Sequence, residues 1–282
     1  MKKVLVKGLT VGVLFSLFLS ACQNDNEGNP DISSFDLESE AAIEATFEEV
    51  DLLSDAGMET LDEDPSGRIT RDDLLDCAEV TKDTVNHIIT IDFGDGCEGP
   101  NGVVKSGKVI IEYDGRMHES GSYRQISFED FYVDSIHVEG VRKVSNVTDE
   151  TNAQNSISFE IILDGGKLTF PDGTFATRDA NHLRTLFFHL DRRENYATVD
   201  GSASGVNLNG DNYEVNILET LVFKRGCRDS RIVVPVAGVK EIIVGDRSAI
   251  IDYGDGECDN EASITADGET VVRTIRPRGR KW

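Results

Sequence analysis

Hydrophobic positions follow two regimes along the chain. Over "SEAAIEATFEEVDLLSDAG" they recur at three- and four-residue intervals, which places Ile43, Phe47, Val50 and either Leu53 or Ser54 on one helical face. Ser39 stands where an N-cap belongs and Gly57 where the helix would end. The pattern predicts a short amphipathic helix that docks on the body of the protein. From His87 onward the period becomes two. "SISFEIIL" puts Ile157, Phe159, Ile161 and Leu163 on one side of a strand, and "KVIIEYDG" and "NYEVNI" alternate in the same way. Asp114-Gly115, Asp164-Gly165, Asp172-Gly173, Asn209-Gly210 and Asp267-Gly268 are read as hairpin turns, because such pairs tolerate the positive φ that a tight turn requires. The expected fold is mainly β, an antiparallel meander or sandwich-like sheets of about a dozen strands or more, with a short N-terminal helix.

The first residues carry an address. Lys2 and Lys3 open a charged start, and Val11 to Leu19 form an apolar run too short for a permanent membrane span. The run ends in "LSAC", which resembles the bacterial lipobox. Residues 1–21 are therefore expected to be a lipoprotein signal peptide, and Cys22 the acylated new N-terminus, with palmitate among its chains. Each buried methylene adds about 0.8 kcal/mol of anchoring, so outer-membrane lipid is the expected partner of this end. The stretch "QNDNEGNPD" has nothing apolar to pack, so residues 22–38 are read as a disordered acidic tether. An acidic run behind such a cysteine resembles the surface-export signal of Bacteroidetes lipoproteins, which implies a cell-surface rather than a periplasm-facing location. Beyond it lie a helical, acidic segment (39–76), a β body (77–276) that divides into two related halves at 170/171, and a basic tail (277–282). The cluster Arg273, Arg276, Arg278, Arg280 and Lys281 around that tail is read as a frayed end.

Charge narrows the partners. The formal net charge is −24, and loss of residues 1–21 removes three lysines and no acid, leaving −27. Such a field repels nucleic acid, and no broad basic stripe runs along the sequence. Setting Cys22 aside leaves Cys77, Cys97, Cys227 and Cys258, an even number in an exported chain, which reads as disulfides. Three pairings are open. Spacing favours Cys77–Cys97 and Cys227–Cys258, because each pair then ends at one of two similar loops, "IDFGDGCEGPNG" from Ile91 and "IDYGDGECDNEA" from Ile251. Each bridge contributes about 3–4 kcal/mol by restricting the unfolded chain.

The two loops invite a calcium reading, through Asp92, Asp95 and Glu98 in one and Asp252, Asp255 and Asp259 in the other. A strand end, an aromatic, a Gly-Asp-Gly turn and a cysteine staple explain them without a ligand. The second copy also moves its cysteine by one place, which reverses a side chain's face on a strand and suits a cage poorly. The loops are read as two copies of a structural turn. "DEDPSGRITRDD" is a sharper match, with Asp62, Asp64, Ser66, Thr70 and Asp73 on ligand positions 1, 3, 5, 9 and 12 of an EF-hand, Gly67 at the turn and Ile69 at the apolar position. Pro65 and the short Asp73 side chain stand against it, so the stretch is read as a solvated turn and no cofactor is expected, with calcium as the alternative. "GDGCEG" fits G-x-G-x-x-G but runs on into a strand, which excludes a dinucleotide fingerprint. His87, His118, His137, His182 and His189 have no zinc-ligand spacing. No G-x-S-x-G elbow occurs. Thr84 in "DTV" and Ser135 in "DSI" resemble the short Bacteroidetes O-glycosylation acceptor, and Asn146 sits in an N-x-T sequon.

The stretches "CAEVTKDTVNHIITIDFGDGCEGPNGVVKSGKVIIEYDG", "FYVDSIHVEGVRKVSN", "DGSASGVNLNGDNYEVNI" and "IDYGDGECDNEASITADGE" together resemble an uncharacterised family of Bacteroidetes envelope lipoproteins with repeated IDFGDG-type motifs. The resemblance covers most of residues 77–276. It implies lineage, envelope location and β architecture, and brings no activity with it. The expected protein is lipid-anchored and non-catalytic, a binding or scaffolding module for an unidentified protein or glycan. A purely structural envelope protein and an enzyme on envelope polymers are the alternatives.

Overall fold

The computed structural model describes Phe35 and residues 37–61, 72–99, 102–151, 155–230 and 234–275. Cys22, Asp62, Asp64, Ser66 and Thr70 lie outside these residues, as does the tail from 276, while Asp73 falls in the short helix α2 (Asp72–Leu75). The expected Cys22 anchor and the EF-hand-like loop therefore rest on sequence.

The body is one antiparallel sheet of fourteen strands. Its first half contains β1 (Glu79–Asp83), β2 (Ile88–Asp92), β3 (Cys97–Glu98), β4 (Val104–Asp114), β5 (Tyr123–Val133), β6 (Ile136–Asn146) and β7 (Ser156–Thr169). The second contains β8 (Phe175–Phe187), β9 (Tyr196–Val206), β10 (Asn212–Lys224), β11 (Ala237–Val244), β12 (Arg247–Asp255), β13 (Glu261–Ala266) and β14 (Glu269–Thr274). Strands neighbour one another in chain order, except that short β3 pairs with β4 beyond the end of β2. The architecture is the meander, not the sandwich, of the two expected forms. The 170/171 boundary falls in the β7–β8 hairpin, whose strands pair from Ser156 with Phe187 to Thr169 with Phe175, so hydrogen bonding is continuous across it.

Helix α1 (Leu37–Glu59) lies across the inner face of this sheet. Ile43, Phe47, Val50 and Leu53 are buried, and Ser54 with them, so both alternatives at the end of the sequence pattern face inward. Each such apolar side chain contributes about 1.5–3 kcal/mol. The helix begins before Ser39 and continues through Gly57. Gly57 is not a stop but a point of contact: a Cβ there would lie 2.9 Å from Ile111 Cδ1 and 3.2 Å from Ile91 Cδ1. The absent side chain lets the helix press onto the sheet.

Two core clusters follow. One joins α1 to Ile89, Ile91, Val109, Ile111, Ile126 and Leu168 of the first half. The other joins Val215, Ile242, Ile251 and Ile264 of the second half to Phe35. Phe35 belongs to the core and not to a disordered tether: it is 2% exposed and stacks beneath the Arg247 guanidinium, 5.1 Å from its ring centre. A large aromatic with a pocket to fill overrides the polarity of its neighbours.

The repeated motif is a bulge. Asp92 Oδ1 accepts from the Gly94 N–H and Asp252 Oδ1 from the Gly254 N–H, both at 2.8 Å, and each glycine has positive φ. In the first copy Phe93 and Gly94 together oppose the single Gly107 of β4, and β3 then resumes pairing with the same strand. In the second, Tyr253 and Gly254 oppose Gly238 of β11. In the first copy Gly94 and Asp95 form a turn between β2 and β3, as the sequence suggested, whereas in the second β12 runs on through Gly254 to Asp255 as a bulged strand. Disulfides Cys77–Cys97 and Cys227–Cys258 staple the motif in both places. Asp95 and Asp255 are exposed, and among the described residues no three metal-ligating side chains converge.

Gly94→Val should cost about 1–2 kcal/mol, because its Cβ would meet nothing within 4 Å and only the left-handed backbone resists it. Asp95→Asn should change neither stability nor calcium binding, which stays negligible by calorimetry. A micromolar calcium site lost in that variant would restore the ligand reading of the loop.

Asp164-Gly165 is likewise a bulge and not a hairpin turn: it lies inside β7, where the two residues oppose Asp179 of β8 and Gly165 N–H donates to Asp179 Oδ1 at 2.7 Å. Asp172-Gly173, Asn209-Gly210 and Asp267-Gly268 sit in turns between paired strands as read, whereas Asp114 closes β4 opposite Tyr123 and Gly115 opens the longer connection to β5. Thr84 and Ser135 are exposed in the β1–β2 and β5–β6 turns.

A charged cleft between the helix and the sheet

An amphipathic helix ordinarily turns its acids to water. In α1 the acids at 40, 44, 48, 51 and 55 recur at four- and three-residue intervals and form a second buried or half-buried stripe beside the apolar one. The inner face of the sheet answers with cations from five strands. Arg178 of β8 donates to Glu40 at 3.1 Å and to Glu44 at 3.2 Å, and Lys240 of β11 donates to Glu40 at 2.6 Å. Arg184 grips Glu48 through two bonds of 2.7 and 3.1 Å, and Arg142 of β6 grips Asp51 through two of 2.7 Å. Arg124 of β5 donates to Asp55, and Lys105 of β4 meets Glu49 at 3.0 Å.

A basic stripe therefore exists, contrary to the linear reading. It is assembled from single residues on separate strands, faces inward and is neutralised by the helix. A signal for it was present: Arg124, Arg142, Arg178 and Lys240 each stand two residues from a position that packs inward, Ile126, Val144, Ala180 and Ile242. On a strand that spacing means the same face.

Electrostatics within the group are uneven. Burial alone would raise Glu40, but Lys240 and Arg178 outweigh it and hold that carboxyl at about 2. Burial and the adjacent Glu40 charge push Glu44 up instead. Both carboxyl groups share the same two cations, and Glu40 has one oxygen on Arg178 and one on Lys240.

The helix does not fill the space beside it. A cavity of about 290 Å³ lies between α1 and the inner residues of β6–β10, with Leu163, Val199, Ile217 and Leu221 among its walls. A second of about 260 Å³ adjoins it, lined by Val144, Phe159, Leu186 and Phe187. They share Glu48, Leu52, Ile161, Arg184, Phe223 and Lys224, so they are two chambers of one cleft. Of the five histidines, His182 lines it; His87 and His137 stack on Tyr113 and Tyr132, and His189 leans on Tyr196. Sequence reasoning passed over His182 because its neighbours carry no motif.

Burial, with Arg178 and Arg142 nearby, lowers the His182 pKa to about 3. Its folded value lies below the ordinary 6.5, so the unfolded chain takes the proton first and stability falls as pH drops from about 6.5 toward 3. Glu40 is also depressed, and withdraws stability only below about 4.5. Glu44, being raised, acts in the opposite sense. Between pH 6.5 and 4.5 the His182 contribution reaches at most about 1.4 kcal/mol per pH unit. His182→Gln should flatten this window in urea titrations and leave the fall below pH 4.5 intact. An unchanged slope above 4.5 would mean that His182 is protonated in the folded protein.

No protein family matches the chain, and neither does any curated protein or solved structure.

Proposed function

We propose that the chain is a lipid-anchored, non-catalytic protein of the outer membrane, exposed at the cell surface, whose binding site is the cleft beside α1. The observation that carries the binding reading is a two-chambered space beside α1, in which apolar walls such as Leu163, Val199 and Leu186 meet charged side chains such as Arg184 and Lys224. A concave space with apolar walls and convergent polar groups is the usual form of a small-ligand site. A flat glycan or protein surface does not require such a space. The anchor rests on the lipobox-like "LSAC" and on the resemblance to envelope lipoproteins.

Hydrolysis at a carboxylate pair is the weaker reading. Glycosidase carboxyls stand about 5–9.5 Å apart with the sugar between them, whereas Glu40 and Glu44 are both occupied by Arg178 and Lys240. Glu48, Asp51 and Asp55 are each committed to an arginine.

Two experiments test the proposal. Cys22→Ala should abolish labelling by a fatty-acid probe and release the protein from membranes; persistence in the outer-membrane fraction would sink the anchor. An apolar fluorescent dye such as 1-aminoanthracene should bind the soluble body, and Leu52→Trp, at the junction of the chambers, should block it. A dye that fails to enter the wild type would leave a purely structural protein as the better reading.

A further inference from the structure

The cleft is cationic in a strongly acidic protein. Its second chamber is lined by Arg124, Arg184, Lys224 and Arg225 against Glu48, Asp51 and Asp55, four cations to three carboxylates in a chain of formal charge −24. Among the described residues, two of those cations also hold donors with no partner. The Nε–H groups of Arg124 and Arg184 are buried and bond nothing there, although both guanidinium groups bond an acid through their outer nitrogens. Arg124 is only 5% exposed. Buried donors are nearly always satisfied, and each exception asks for an acceptor.

Lys224 and Arg225 are exposed at the mouth. The Arg225 N–H donates to Asn195 O at 2.9 Å, which ties this mouth to the turn carrying exposed Arg192 and Arg193. Phe188, at the rim, is 42% exposed, and Leu190 in the same β8–β9 connection is fully exposed. The first chamber, by contrast, has an apolar floor of Leu163, Val199, Ile217 and Leu221.

We infer that the cleft takes a single-chain anionic amphiphile. Its hydrocarbon chain lies over the apolar floor of the first chamber. Its carboxylate or phosphate oxygens lie in the second, at the cationic mouth that Lys224 and Arg225 form. Each chamber, about 290 and 260 Å³, lies just under the range for bound small molecules, about 300–1,000 Å³, and only the two together fall within it, which suits one chain and not the two of a diacyl lipid. The inference rests on the cleft being a binding site, as proposed above.

The test displaces the bound dye from the soluble body with four probes, each below its micelle concentration: palmitate, lysophosphatidate, hexadecanol and hexadecyltrimethylammonium. At least one anionic probe should compete tenfold or more better than hexadecanol and the cation. The tighter of palmitate and lysophosphatidate identifies the head as carboxylate or phosphate. Lys224→Glu combined with Arg225→Glu should weaken the anionic probe at least tenfold and leave hexadecanol unchanged. Equal competition by all four, competition by none, or an anionic affinity indifferent to the double substitution would overturn the inference while the dye still binds. A dye that never binds refutes the cleft itself, so the two failures are distinct.

Discussion

Arg178→Met should destabilise the protein by about 3–5 kcal/mol. Arg178 is 3% exposed and meets Glu40 and Glu44 at 3.1 and 3.2 Å, while Lys240 holds the remaining oxygens at 2.6 and 3.5 Å. Two cations and two carboxylates balance in a space where Arg178, Lys240 and Glu40 are closed to water and only Glu44 is partly open to it. Removing one cation strands a negative charge, and Glu44, already raised by burial and Glu40, would have to take up a proton to relieve it. Adding Glu44→Gln to Arg178→Met should therefore recover more than half of the loss in urea-denaturation midpoints, a coupling that a double-mutant cycle measures. A cost under about 1 kcal/mol with no rescue is what exposed pairs give, and would show that water reaches the group.

The set of pairs is not a large source of net stability, because desolvating each ion offsets most of the attraction. Its effect is geometric. The apolar stripe of α1 would rest on the inner face in several positions. One step along the helix axis would separate the acids at 40, 44, 48, 51 and 55 from their partners together. That fixes the register of α1, and with it the width of the cleft and the position of Leu52 at its waist.

How far the sequence spoke depended on the range of the interaction. The face Ile43, Phe47, Val50 and Leu53 was legible because a helix repeats it locally. Ile161 and Leu163 were legible because a strand alternates. The disulfides were legible through the two similar loops that each pair reaches. The pairs between Glu40 and Arg178 and between Glu40 and Lys240 span 138 and 200 residues, and no local period joins such positions. The cleft was illegible for the same reason, being bounded by α1 and by strands far along the chain. Asp164-Gly165 misled because positive φ serves a bulge as well as a hairpin turn. The glycines inside β4, β6, β9 and β11 were a readable signal, since an isolated glycine in a strand pattern marks a bulge or a close backbone approach.

Gly107→Ala should be the most damaging of the single-methyl additions, at about 4 kcal/mol or more. Gly107 stands where two bulges meet. On one side Phe93 N–H donates to Gly107 O and Gly107 N–H to Gly94 O; on the other, Asp130 and Phe131 of β5 crowd opposite it. Its φ is +77°, and a Cβ there would fall 1.9 Å from Asp130 O, a backbone atom with no rotamer to move. Gly201 and Gly238 repeat the device at 2.1 Å from Asn181 O and 2.3 Å from Thr220 O, each against a neighbouring strand. A bulge bends its strand and raises the local twist, so bulges met by glycines across the sheet let it curve around α1 instead of lying flat. Gly173→Ala supplies the comparison. Its φ is +84°, but nothing lies within 4 Å of its Cβ in the β7–β8 turn, so it should lose only the left-handed penalty of about 1–2 kcal/mol. The difference between the two variants in thermal or urea unfolding isolates close approach from backbone conformation. Equal losses would mean that β4 and β5 separate freely at Gly107, and that the curvature holding the cleft open has another origin.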